Sequence, residues 1–121
     1  MTLKVLPHEF SVCKTAVMPA LPEGICFLAR TDTEVSVVCE TRRIDFDAAA
    51  REDGWRALAV VGTLDFALIG ILAKITGVLA EAGISVFCIS TYDTDYVLVR
   101  SARLADAAKA LSAAGYSILN R

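Results

Sequence analysis

Apolar residues in this chain come in short bursts separated by turn formers, and the pattern is sharpest in the second half. Residues 55–61 (WRALAVV) are a nearly unbroken apolar run and read as a buried strand. Gly62, Thr63, Leu64 and Asp65 read as a turn ending in a helix N-cap at Asp65. A helix is predicted from residue 66 to about 82, with Gly83 just past its end. Residues 84–91 read as a strand, 92–94 as a tight turn and 95–100 as the returning strand. Ser101 can cap a second helix over residues 103 to about 114, whose Leu104, Ala108 and Leu111 form one apolar face. Gly115 stops that helix, and residues 116–119 form a last strand. The order βαββαβ predicts a ferredoxin-like unit.

The first half follows the same plan with parts missing. ICFLARTDTEVSVVC, beginning at Ile25, lines up with VFCISTYDTDYVLVR, beginning at Val86, at an offset of 61 residues that carries Asp32 onto Asp93 and Glu34 onto Asp95. The same offset carries Gly54 onto Gly115, and self-similarity of this kind predicts a tandem duplication. Residues 10–14 take the place of the opening strand, 25–30 and 35–39 form the hairpin, and 48–53 read as a short helical stretch. Pro19 and Pro22 leave residues 18–24 too little room for more than a turn. Residues 2–6 add a strand at the front. The expected fold is α+β, two ferredoxin-like units with antiparallel sheets and helices on one face. Residues 1–61 form the reduced unit and 55–121 the complete one, with strand 55–61 at the junction.

This fold is expected to need a partner. Ile84, Val86 and Cys88 alternate with Phe87 and Ile89, so neither face of that strand suits water. Between residues 66 and 80 the only strongly polar side chain is Lys74, which predicts a helix buried nearly all round. Gly70, Ala73, Gly77 and Ala80 make a small-residue stripe that serves either packing on the chain's own sheet or close approach of a second helix. A homodimer is expected, pairing sheets side by side or stacking helices.

Twelve basic and fourteen acidic residues give a net charge of −2 over 121 residues, with no basic run. Nucleic acid, which is bound through clustered Lys and Arg, is therefore not an expected partner. No apolar run approaches the roughly 20 residues of a spanning helix, so no membrane partner is expected. Cys13, Cys26, Cys39 and Cys88 lack CxxC spacing, sit in strand-like runs, and read as small core residues. The only histidine is His8, which leaves no metal-ligand set. The strand-like first ten residues lack a leader pattern, so a cytoplasmic location with reduced thiols is expected. No nucleophile is recognisably paired with a histidine, and no P-loop or acid pair suggests catalysis, so the expectation is a non-enzyme without cofactors.

The βαββαβ unit with its glycine-containing strand-to-helix turn is similar to the ACT domain, a regulatory module that binds amino acids at interfaces between copies. The stretch GTLDFALIGILAKITGVLAEAGISVFCISTYDTDYVLVRSARL resembles the second ACT unit of the CASTOR-type arginine sensors and their short bacterial relatives. MTLKVLPHEFSVCKT with ICFLARTDTEVSVVCE resembles that family's reduced first unit. ISTYDTDYVLV is the most specific part. The resemblance implies ligand contacts from Asp65, Phe66, Gly70 and Ile71 at the helix start and from Thr91, Tyr92 and Asp95 at the strand end. In that family an acid at the position of Asp95 receives the guanidinium group, a pairing that suits planar bidentate hydrogen bonding. Leu68 stands where the family has an acid, and Lys74 replaces a small hydroxyl residue on the facing helix. Lys74 therefore favours an acidic or neutral ligand, or neutralises a nearby carboxylate.

The function these readings predict is a small regulatory module that senses an amino acid between ACT units and signals to a partner protein. The alternative is a dimeric interaction scaffold whose ligand site has decayed.

Overall fold

The computed structural model describes residues 1–62 and 69–120. The chain runs β1 (Thr2–Thr15), β2 (Cys26–Arg30), β3 (Val35–Glu40), β4 (Ala50–Val60), α1 (Ile71–Glu81), β5 (Phe87–Ser90), β6 (Asp95–Arg100), α2 (Leu104–Ala113) and β7 (Ser117–Asn120). A 3₁₀ turn follows each hairpin, at Thr41–Arg43 and at Ser101–Arg103. The secondary structure is mixed α+β. The chain groups into two compact units, Met1–Pro7 with Arg56–Arg121, and His8–Trp55.

In the larger unit the strands lie in the order β7, β1, β4, β6, β5. The expected extra strand at the front is the first part of β1. It occupies the place beside β4 that the last strand of a simple βαββαβ unit would take, with the Val61 N–H donating to the Thr2 carbonyl at 3.0 Å. The last strand, β7, is moved out by one position and pairs with β1 in parallel, Thr2 opposite Ser117. The expectation of purely antiparallel pairing is corrected at this edge. Ile75 and Leu79 of α1, Ala107 and Leu111 of α2, and Leu3, Leu58, Val97 and Val99 of the strands form one buried cluster. Each large aliphatic side chain sealed there contributes roughly 1.5–3 kcal/mol.

Both helices end in the same way. The Ile84 N–H donates to the Leu79 carbonyl at 2.9 Å and the Gly83 N–H to the Ala80 carbonyl at 3.0 Å. At the end of α2, Tyr116 bonds Leu111 at 3.0 Å and Gly115 bonds Ser112 at 3.1 Å. This is the Schellman arrangement, which needs a left-handed residue just past the helix, and Gly83 and Gly115 supply it with φ of 72° and 101°. Arg103 reaches back from the start of α2 to the carbonyls of Gly83 and Ala82, adding a cation at the negative end of α1.

The start of α1 departs from the expected residue 66. Gly70 precedes the helix in a left-handed conformation, φ 79°, and Ile69 before it is almost fully solvent-exposed. The expected Asp65 cap and the turn residues Thr63 and Leu64 lie outside the described residues. Within α1 only Ile75 and Leu79 are buried, so the helix covers the sheet with one side. Ala73, Gly77 and Ala80 are exposed and do not pack on the chain's own sheet.

In the smaller unit the order is β2, β3, β1, β4. Cys13, Val37 and Cys39 form a buried cluster, covered by Cys26, Ile44, Phe46 and Ala48. No helix forms over residues 48–53, of which 50–53 instead belong to β4. Alternation is the reason: along Ile44, Asp45, Phe46, Asp47 and Ala48, apolar and polar side chains alternate, and so does their burial. An extended segment with this period seals the sheet where a helix was expected.

The hairpins of the two units correspond at an offset of 60 residues, carrying Val35 onto Asp95 and Thr41 onto Ser101. In each, a threonine N–H donates 2.9 Å across the turn, Thr31 to Glu34 and Thr91 to Thr94. The offset read from sequence, 61, is therefore one residue out in the hairpins, and Asp95 corresponds to Val35 and not to Glu34.

Glu40 is buried and accepts hydrogen bonds from the Ile25 N–H and Arg42 Nε, both at 3.0 Å. Burial pushes its carboxyl up, but the Ile25 N–H and the Arg42 guanidinium outweigh that and hold it below its ordinary value. A carboxyl with a lowered folded value stabilises the protein above the unfolded value, and the contribution is lost as pH falls through the folded one. Glu40→Gln should therefore flatten the fall of melting temperature between about pH 6 and pH 3. Equal slopes for the two proteins would show that Glu40 carries none of the acid sensitivity.

Candidate functional site

The expected site residues fall into two groups, both in the larger unit. Gly70, Ile71 and Lys74 are together at the start of α1, where the Lys74 N–H closes onto the carbonyl of Gly70, the residue before the helix, at 3.0 Å. Thr91 and Tyr92 belong to the β5–β6 turn, and Asp95 is the first residue of β6. Asp65 and Phe66 lie outside the described residues.

The β5–β6 turn is held by its own side chains. Thr91 Oγ1 donates to the Thr94 carbonyl at 3.1 Å and accepts from the Thr94 N–H at 3.4 Å. Asp95 Oδ1 accepts from Ser90 Oγ at 2.6 Å. Thr94 Oγ1 donates to the Val60 carbonyl at 2.8 Å, tying the turn to the end of β4, from which the chain leads toward α1. The Thr91 hydroxyl is thus engaged in building the turn, and Tyr92 stands 80% exposed at its tip.

The first turn of α1 opens on a cleft of about 290 Å³ lined by Met1, Ile71, Lys74, Ala114, Gly115 and Tyr116. Ile71 and Lys74 were expected from the resemblance. The other lining residues come from the tip of β1 and the end of α2, and the Gly115–Tyr116 helix stop is the only sequence signal that marked any of them. Their positions follow from the Schellman turn and from the Ser117 N–H, which donates to the Met1 carbonyl at 3.0 Å. Ile71, Met1 and Tyr116 give the cleft apolar walls. Among the described residues no acid lies within ion-pair distance of Lys74, whose ammonium is the one side-chain charge at the rim. A cationic point on an apolar wall suits a small anion with an apolar body.

Nothing in the described residues resembles a catalytic centre. The shortest polar network, Ser11 Oγ to Asp53 Oδ1 at 2.5 Å with Arg51 Nε on the same oxygen at 2.7 Å, belongs to the smaller unit. There Arg51, followed by Ser11, lowers the Asp53 carboxyl below its ordinary value. This is the opposite of what a general base poised near neutrality needs. No helix among the described residues is long and apolar enough to cross a membrane.

The sequence profile of the ACT domain matches residues 50–113, which include α1, the β5–β6 turn and all of α2. No curated protein matches the chain in sequence. Among solved structures, a protein from Agobacterium tumefaciens is 33% identical, covering 99% of this chain and 92% of that one, with a TM-score of 0.87. An aspartate kinase from Clostridium acetobutylicum, described as an allosteric enzyme, is 17% identical, with a TM-score of 0.66 over 93% of this chain and 34% of that one. The ligand-free regulatory subunit of the aspartate kinase from Thermus thermophilus is 8% identical, with a TM-score of 0.62 over 95% of this chain and 97% of that one. The last two likenesses are of fold alone.

Proposed function

We propose that this chain, which belongs to the ACT-domain family, is a small regulatory module that binds an amino acid at an interface between ACT units and passes its occupancy to a partner protein. The observation that carries this reading is the cleft of the larger unit, where Lys74 stands among apolar walls at the start of α1, inside the segment the ACT profile matches. The shared fold with an aspartate kinase regulatory subunit supports a role without catalysis.

The second ACT unit at the interface belongs to a second copy. Two exposed features support a homodimer. One is the small-residue face Ala73, Gly77 and Ala80 of α1; the other is β5, at the end of the strand order and without a charged residue. An uncharged edge strand is a template for further pairing. The two hairpins with their 3₁₀ turns support descent from a duplicated ACT unit whose first copy, residues 1–61, has lost its helices. The location proposed for the protein is the cytoplasm.

A thermal-shift panel of the twenty amino acids tests the reading. A ligand at 100 times its Kd adds about 2.7 kcal/mol, which raises the melting temperature of a chain of this size by roughly 8–15 °C. Lys74 is exposed, so Lys74→Ala should erase the shift while leaving the ligand-free melting point within a few degrees. An unchanged shift in Asp95→Ala would remove Asp95 from the site. A flat panel would sink the sensor reading and favour the dimeric scaffold with a decayed site. A monomer at high concentration in sedimentation equilibrium would sink both.

A further inference from the structure

We propose that Cys26 and Cys39 are a dithiol modification site that oxidises reversibly to a cross-strand disulfide, stapling the β2–β3 hairpin at its open end. The register places the two residues directly opposite one another. Antiparallel partners alternate between hydrogen-bonded pairs and closer, non-hydrogen-bonded pairs. The Thr31 N–H bond to the Glu34 carbonyl, 2.9 Å, makes that pair a hydrogen-bonded one. Counting back through Arg30↔Val35, Ala29↔Ser36, Leu28↔Val37 and Phe27↔Val38 leaves Cys26↔Cys39 in the closer class. There the Cα atoms stand about 4.5 Å apart, inside the range of about 4.4–6.8 Å that a disulfide spans.

Two contacts check this phase independently. At the next position, residue 25, the N–H should point across toward β3, and the Ile25 N–H does reach Glu40, through Oε2 at 3.0 Å. In the other hairpin Ser90 and Asp95 hold the equivalent class of position, one step from the Thr91–Thr94 bond, and their side chains touch at 2.6 Å. Cys13 is no competitor for Cys39. It sits opposite Val37, while Ser11 sits opposite Cys39. Cys13 and Cys39 are therefore diagonal neighbours at about 7–8 Å, beyond easy bridging.

Access divides the roles. Cys39 is fully buried and Cys26 half-buried, so an incoming reagent meets Cys26 first. With a small-molecule disulfide RSSR as oxidant, Cys26 gives up its proton and its thiolate attacks one sulfur, releasing RS⁻. The Cys39 thiolate then attacks Cys26 Sγ in the mixed disulfide and releases the second RS⁻. The two protons end on the two RSH molecules, and the electrons of the dithiol reduce RSSR. Burial pushes the Cys26 thiol up and the Cys39 thiol up to about 12, with the neighbouring Cys26 adding to the latter. Exchange is therefore slow at neutral pH and its rate climbs with pH. The bridge closes a loop of about 14 residues, which raises the melting temperature by about 10 °C.

The test is incubation of the full native chain, as the Cys88→Ser variant to prevent crosslinking between copies, with oxidised glutathione at about pH 8.5, followed by alkylation and tryptic mapping without reductant. Cleavage after Lys4, Lys14, Arg30 and Arg42 puts Cys13, Cys26 and Cys39 in separate peptides. The expected product joins the Cys26 and Cys39 peptides, forms faster as pH rises, melts about 10 °C higher than the reduced form, and disappears in Cys26→Ser. Glutathione retained on Cys26, a bridge to Cys13, or a Cys26–Cys39 bridge that forms only in denaturant would each overturn the proposal.

Discussion

Leu79→Ala should destabilise the protein by about 2–5 kcal/mol and lower its melting temperature by roughly 8–20 °C. Leu79 is fully buried on the sheet-facing side of α1, one turn beyond the equally buried Ile75. It also anchors the helix end, because its carbonyl receives the Ile84 N–H while Ile84 joins the same buried cluster. Removing the side chain leaves a hole between helix and sheet and loosens the apolar contact that accompanies the Schellman turn. Lys74→Ala, at an exposed position of the same helix, should change the stability of the ligand-free protein by less than about 0.5 kcal/mol. Thermal or urea unfolding of the two variants checks the contrast. A similar cost for both would mean that α1 is not docked through the side described here.

Gly24→Ala should cost about 2–5 kcal/mol, from two sources that can be separated. Gly24 has φ of 81°, where an L side chain is strained by about 1–2 kcal/mol. A Cβ there would also lie 2.5 Å from Glu40 Oε2, the oxygen that accepts the Ile25 N–H. The carboxylate must then leave a buried hydrogen bond, at about 1–3 kcal/mol. In a Glu40→Ala background only the backbone part should remain, so the two substitutions should couple in a double-mutant cycle. Purely additive costs would show that Glu40 yields without loss. Gly54 makes the comparison sharp, since it has nearly the same φ, 82°, and nothing within 4 Å of its built Cβ.

Much of the local structure was legible in the residues. Strand Asp95–Arg100 and the turn before it were read residue for residue, and Gly83 and Gly115 marked the ends of both helices. Misreadings gather where two patterns compete. Residues 44–48 alternate with period two, yet the alanines that follow drew a helix reading over 48–53 that the strand displaced. Gly70, which the sequence pattern places inside the helix as part of a small-residue stripe, stands before its first turn. The candidate site was legible only in part. Ile71 and Lys74 share a cleft with Met1, Gly115 and Tyr116, which come from distant parts of the chain and carry no motif, while Thr91, Tyr92 and Asp95 belong to the β5–β6 hairpin and are not among the residues that line that cleft.

Turn chemistry, helix stops and the alternation of strands are decided within a few consecutive residues, so the sequence alone determined where the hairpin of the second half turns and where its two helices end. Pairing partners and register are decided by contacts between segments far apart in the chain, and a shift of one residue changes little in local propensity while turning side chains to the other face of the sheet. Only the tertiary structure could therefore correct the hairpin offset from 61 to 60. It alone placed β1 between β4 and β7, which put Met1 and Tyr116 beside Lys74.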